Sequence, residues 1–427
     1  MKILNSKSKN FDKLLENLLL QRKKKIQSDS VSVTNIIKDV KKNGDKALLK
    51  YEKRFNQNNI IIPSSKQIKK SINSLDKKVK KAIDTAYNRI YKFHSLQKFK
   101  NISYTDKLKN KLEYKYVPLE SVAIYVPGST ASYPSSVLMN AIPAIVAGVK
   151  RIVMINPGYK GKQNPAVLYA AKKCKIKEIY SIGGPSAIAA VSYGTKKIKK
   201  VHKIVGPGNA YVAAAKKEVF GDVGIDMVAG PSEVSIVADN YANPNWIASD
   251  LIAQAEHDIF SQSILITNSR NLIKSVNLSL RSQLIKLPKK NIASKSLKNF
   301  GLAIYVKNKN KISDIINTIA PEHLEINFKK GENIIKKIKN AGSIFIGKFS
   351  PEAMGDYLAG PNHVLPTSGS AKFSSGLSVN DFLKRHSLIK ISKSGIERLG
   401  PSVINLSQHE NLEGHARSVK IRLKKDL

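Results

Sequence analysis

Between Ser121 and Phe220 the chain repeats one pattern four times: a short β-branched run, a turn marked by glycine or proline, then an alanine-rich stretch. The segments read "SVAIYVPGSTASYPSSVLMNAIPAIVAG", "RIVMINPGYKGKQNPAVLYAAKKC", "EIYSIGGPSAIAAVSYG" and "HKIVGPGNAYVAAAKKEVF". Strand, tight turn and helix at this spacing predict a parallel sheet with right-handed crossovers, a Rossmann-like domain or a piece of one. Ligands meet such sheets at the carboxyl ends of the strands. The turns there, around Pro127-Gly128, Gly183-Gly184 and Gly206-Pro207-Gly208-Asn209, let backbone approach a phosphate or a ribose. None completes G-x-G-x-x-G, because "GPGNAY" lacks the last glycine, so the turns alone are a weak dinucleotide signal.

A second α/β region runs from about Ser232 to Gly376, with strands expected in "SEVSIVAD", "SQSILIT", "LAIYV" and "AGSIFIG" and helices between them. Residues 1 to about 115 read as lysine-rich packing helices, with Gly44 a stop between two amphipathic runs, and the tail from Leu377 reads as helical again. The expected fold is α/β: two Rossmann-like but incomplete parallel-sheet domains with helical N-terminal and C-terminal extensions. The 427 residues give room for cores of that size. The longest apolar stretch, "VLMNAIPAIVAGV", is too short to span a bilayer and the start shows no apolar signal-type core, so the expectation is a cytoplasmic protein without a membrane partner. Cys174 is the one cysteine, so a metal site here must use His, Asp, Glu or amide oxygen. A net charge of +42 raises the question of a polyanionic partner. The excess is mostly lysine spread through helical stretches, as coding bias gives. No aromatic-interleaved basic strand or zinc-finger spacing accompanies it, so nucleic acid is not the expected partner.

Chemistry gathers in a few places. The helix in "NPNWIASDLIAQAEHDIF" ends in "QAEHD", where Gln254 and His257 are three apart and share one face. "IAPEHLEINF" sets Glu322 and His323 behind Pro321 among apolar residues. "SPEAMGDYLAGPNHVLPTSG" carries Asp356 and His363 in a turn-rich segment too long for a routine connection, and the tail supplies Glu410 and His415. Each residue alone has an ordinary structural reading as a cap, an Asx turn or a solvated histidine. Together they offer the neighbouring acid and imidazole that proton transfer needs, and N and O ligands suited to zinc.

The motifs "YVPGSTASYPSSVLMNAIPA", "VGPGNAYVAAAK", "DMVAGPSEVSIVAD", "ASDLIAQAEHD", "APEHLEI", "GDYLAGPNHVLPT" and "ENLEGHARSV" occur in one order over nearly the whole chain, and in this the chain resembles the histidinol dehydrogenase family. The resemblance implies oxidation of L-histidinol to L-histidine through histidinal, with two NAD consumed. It implies one zinc per subunit, bound by Gln254, His257, Asp356 and His415, with Ser232, His323 and Glu410 joining those ligands around the substrate. It implies His323 as general base, Glu322 as activator of the water that adds to the aldehyde, and Tyr125 and Asn209 as NAD contacts. Where the family usually has a cofactor-contacting glutamine this chain has Ser186, which reaches less far. The family is homodimeric, with the tail entering the partner's site. The implied division is residues 1–24 as an N-terminal extension, 25–124 with 233–376 as the domain carrying most of the zinc site, 125–232 as the dinucleotide domain, and 377–427 as the tail. Two further readings compete: a related zinc and NAD dehydrogenase for another amino alcohol or hydroxy sulfonate, and a basic nucleic-acid-binding or scaffolding protein. For the dehydrogenase, activity is expected to fall on acidification as His323 and the histidine ligands protonate.

Overall fold

A computed structural model describes residues 1–424 apart from 26–29, 98, 129–132, 159, 161 and 330. The four strand-turn-helix units build a five-stranded, wholly parallel sheet in the order Glu178–Tyr180, Arg151–Ile155, Ser121–Tyr125, Lys203–Val205, Gly224–Ile225. The chain winds outward from Ser121–Tyr125 to one edge and then returns to its other side. Strand order therefore reverses between Ser121–Tyr125 and Lys203–Val205, and a crevice opens beyond their carboxyl ends. Helix Pro134–Ala147 packs behind this sheet. Proline at its start costs no hydrogen bond, and Gly148 ends it in the left-handed conformation (φ 92°). On the opposite face, helix Ser30–Asn56, broken at Gly44 (φ 51°), packs Val33, Ile37, Val40 and Leu48 with Ile188 and Val191 of helix Gly184–Tyr193.

The second sheet has six parallel strands in the order Lys2–Asn5, Leu302–Tyr305, Gln262–Thr267, Glu233–Ala238, His323–Asn327, Ser343–Ile346. Its central strands Glu233–Ala238 and Gln262–Thr267 are buried along their full length, as expected of a parallel sheet covered on both faces. Here the residues of chemical interest lie at the amino ends of the strands, because helix Pro244–Ala255 runs back antiparallel to them and delivers Gln254 and His257 to that end. The two sheets thus face one cleft with opposite ends.

Four strands depart from the helical reading of the extensions. Ile102–Thr105 and Lys111–Pro118 form an antiparallel sheet with Leu383–Lys390 from the tail, and Lys2–Asn5 pairs with Leu302–Tyr305 at an edge of the six-stranded sheet. Ile102–Thr105 and Lys111–Pro118 form a local hairpin, while the partners Leu383–Lys390 and Leu302–Tyr305 come from more than 260 residues away in sequence. Among the described residues no helix is long and apolar enough to cross a membrane.

Candidate active site

A cleft of about 460 Å³ lies between the two sheets, lined from one side by Tyr125, Gly128 and Asn209 and from the other by Ser232, His257, Glu322, His323, Asp356 and His363. Residues from six separate sequence motifs are brought to one place by the reversal in the first sheet and by the returning helix beside the second.

His323 opens strand His323–Asn327 and is 3% exposed. Its Nδ1 lies 3.1 Å from the Glu233 carbonyl, an acceptor only, so this nitrogen carries the hydrogen and donates. Nε2 is then the basic nitrogen; it is buried, has no hydrogen-bond partner among the described residues, and lies 3.9 Å from Asp356 Oδ1. Burial pushes the imidazole down from 6.5 to about 4, against the pull of Asp356, so the ring is neutral at physiological pH. This shifts the expected acid loss of activity: protonation of His323 itself belongs near pH 4, not in the ordinary histidine range. Burial lowers His363 in the same way, and its Nδ1 is 2.9 Å from the Asp356 carbonyl.

Glu322 accepts a 2.8 Å hydrogen bond from the Glu233 N–H, and burial, with Glu233 and Asp356 nearby, holds its carboxyl well above the ordinary range. Once ionised, such a carboxylate is a stronger base than an exposed one. The Glu233 backbone therefore contacts both members of the pair, through its N–H and its carbonyl.

His323, Glu352 and Asp356 each offer a ligand atom within 4.8 Å of the others, a group able to hold a metal ion. Glu352 and Asp356 are one turn apart on helix Glu352–Tyr357. Gln254 is fully buried behind the cleft wall; turning its amide so that the nitrogen faces the acceptors Glu352 Oε1 (2.9 Å) and the Glu233 carbonyl (3.3 Å) satisfies both, and leaves its oxygen as the potential ligand. The carboxyl end of helix Pro244–Ala255, negative by its dipole, also points here. Of the four ligands that the resemblance implies, Asp356 alone belongs to the group with His323 and Glu352; His257 lines the same cleft and Gln254 lies behind its wall, and a donor set of carboxylate, imidazole and amide oxygen fits zinc.

At the other end of the cleft, Tyr125 accepts from the Gly184 N–H at 3.1 Å, and burial raises its phenol to about 12, so it keeps its own hydrogen to donate. Asn209 caps helix Ala210–Val219 by accepting from the Val212 N–H at 3.1 Å, which leaves its amide nitrogen available. Ser186 does not line the cleft: it is 2% exposed and its hydroxyl donates to the Gly183 carbonyl at 3.1 Å. Glu410 and His415 are exposed on the tail, at helices Lys393–His409 and Glu413–Lys420, and do not line this chain's own cleft.

The whole chain can be set against known proteins. A family model described as histidinol dehydrogenase matches residues 20–423. A protein named histidinol dehydrogenase from Pelagibacter ubique (strain HTCC1062) is 70% identical over 426 residues, covering 100% of both chains. The chain belongs to the histidinol dehydrogenase family. It is accordingly an oxidoreductase. A histidinol dehydrogenase from Brucella abortus (strain 2308) is 49% identical over 95% of each chain. The crystal structure of histidinol dehydrogenase from Elizabethkingia anophelis matches with a TM-score of 0.92 at 38% identity, over 99% of this chain and 98% of that one.

Glu352 and the cleft-lining Tyr357 escaped the assignment of site residues from sequence. A signal was present for Glu352: an acid four residues before Asp356 on a short helix faces the same way.

Proposed function

We propose that this member of the family oxidises L-histidinol to L-histidine in two NAD-dependent steps at a zinc-containing site in the cytoplasm. The observation that carries the reading is a neutral, buried His323 whose Nδ1 is committed to the Glu233 carbonyl and whose Nε2 is free beside Asp356. Gln254, His257 and Asp356 would hold the zinc together with His415 from a second copy of the chain. When bound, zinc would supply a Lewis-acid anchor for the substrate's nitrogens, and two NAD bound in succession would each accept one hydride.

The residues of the chain do the rest. Nε2 of His323 takes the alcohol proton as the first hydride leaves the carbinol carbon. Glu322 takes a proton from the water that adds to the aldehyde, and His323 again serves as base while the hydrate gives up its second hydride. Tyr125 and Asn209 offer donors to the dinucleotide at the crevice where strand order reverses. Ser232, with Glu410 from the second copy, would bind the substrate.

A homodimer with shared sites is supported by the tail's position away from its own cleft. The antiparallel sheet and tail also carry exposed apolar side chains, among them Tyr114, Ile389, Leu406 and Leu412. The test is metal analysis beside turnover: one zinc per chain, lost with activity on chelation, both returning on zinc addition. Turnover surviving complete removal of metal would overturn the reading.

A further inference from the structure

The Glu233 backbone donates through its N–H to Glu322 at 2.8 Å and accepts through its carbonyl from His323 at 3.1 Å, so whatever fixes the two peptide groups that flank Glu233 fixes both side chains. Its own side chain is tied to Arg22, from the far end of the sequence. On helix Phe11–Lys25 the residues Phe11, Leu15 and Arg22 lie on one stripe, at 5%, 1% and 2% exposure. Phe11 and Leu15 join the apolar cluster with Ile264, Ile304 and Leu324; the arginine takes the next inward place.

A guanidinium is costly to bury unless its donors are met. Here they are met by two short segments, Pro231–Glu233 and Phe260–Gln262. Nη1 donates to the Glu233 carboxylate and, at 3.5 Å, to Gln262 Oε1. Nη2 donates to the carbonyls of Pro231 at 2.6 Å and Ser232 at 3.4 Å, and Nε to the Phe260 carbonyl at 2.9 Å. Glu233 accepts in addition from the Ser368 N–H at 3.0 Å. Three consecutive residues, one of them Ser232 on the cleft wall, are thus gripped from behind by a planar fork.

We propose that Arg22 is a positioning residue for the dehydrogenase reaction: it fixes the Pro231–Glu233 segment and, through the Glu233 backbone, holds Glu322 and His323 in working register. The inference rests on the assignment of Glu322 and His323 as the proton-transfer pair. It gives the N-terminal helix a role in catalysis without touching substrate, since Arg22 does not reach the cleft.

The experiment uses the full-length enzyme loaded with zinc, and follows histidinol and histidinal oxidation in Arg22→Lys, Arg22→Met and Arg22→Met/Glu233→Gln. Lysine keeps the charge but cannot present the same fork to carboxylate and carbonyls at once. Arg22→Lys should stay folded with its zinc, lose kcat about tenfold in both oxidations, and keep KM for NAD within about twofold. Arg22→Met should lose about 100-fold, the scale expected when reacting groups are misplaced by an ångström. The double variant removes the unpaired buried charge, so it should recover folding but not rate. Wild-type kcat in folded Arg22→Lys or in the double variant, or a loss matched by an equal rise in KM for NAD, overturns the proposal. Glu322→Gln and His323→Gln run alongside: if those retain turnover, the pair itself is misassigned and the role of Arg22 falls with it.

Discussion

Lys216 and Asp226 form an ion pair whose side chains are 2% and 1% exposed, and it anchors the loop that leads to Asn209, at the end of the cleft proposed for the dinucleotide. Lys216 Nζ donates to the Gly206 carbonyl at 3.0 Å, while Asp226 Oδ2 accepts from the Gly206 N–H at 2.8 Å, so both polar groups of Gly206 are held by one pair. Gly206 has φ 111°, and a Cβ there would stand 2.3 Å from the Tyr125 carbonyl, so the loop cannot relax by shifting toward the neighbouring strand. Replacing Lys216 with methionine preserves much of its volume but strands a carboxylate in the interior. Removing one partner of a buried pair costs about 3–5 kcal/mol, whereas neutralising both is often close to neutral. Lys216→Met should therefore lose about 3–5 kcal/mol of apparent stability in urea titration. Lys216→Met/Asp226→Asn should recover about half of that, because the amide oxygen of the introduced asparagine can still accept from the Gly206 N–H. Gly206 begins the turn that carries Asn209, so the single variant should also raise KM for NAD several-fold, on the order of one lost hydrogen bond, while zinc content stays constant. A loss below about 1 kcal/mol, or a double variant as unstable as the two singles summed, would refute the argument that the pair is held by mutual compensation.

Glu52 is buried, accepts from Gly183 N at 2.8 Å and Asn56 Nδ2 at 2.7 Å, and is pushed by burial from 4.5 to about 7. Because the folded chain holds that proton more tightly than the unfolded one, stability should fall as pH rises from 4.5 through 7, by up to about 3 kcal/mol, and urea titrations of Glu52→Gln should lack that slope. For His323 the sign is opposite: with its imidazole lowered from 6.5 to about 4, its contribution to stability is complete above 6.5 and is lost as pH falls toward 4. With zinc and both substrates saturating, kcat should therefore show no His323-dependent fall between pH 7 and about 5, and a limb centred at about 6.5 that zinc concentration does not move would contradict the burial argument. Mixing Asp356→Ala chains with His415→Ala chains should restore up to one competent site per heterodimer; verified heterodimers without activity would argue against a site shared between two copies.

The parallel sheets were legible because their pattern is local: a buried run, a glycine or proline turn, and a helix repeat within about thirty residues each. The antiparallel sheet was passed over although "KLEYKY" alternates charged and apolar residues at the strand period; the stretch sits at the end of a lysine-rich helical region, and its partner "LKRHSLIK" lies across most of the chain. The candidate site divides in the same way. Gln254 with His257 and Glu322 with His323 announced themselves by placing ionisable or amide groups where apolar periodicity ended. Glu352 lay unremarked among acids, and Arg22 looked like the first of a run of basic residues, "RKKK", although its spacing from Phe11 and Leu15 put it on the inward face. Burial could not be read from residue order either. The depression of His323 comes from enclosure by residues of distant strands, and it changes the expected pH behaviour of the enzyme.

The most direct test of the account is stoichiometry with limiting L-histidinol and excess NAD, following the absorbance of NADH to completion and identifying the product. About two NADH per histidinol and L-histidine as the product are expected, since each of the two oxidations yields one reduced cofactor. One NADH with histidinal accumulating would contradict the role given to Glu322, and no reduction by zinc-loaded protein would contradict histidinol as the substrate.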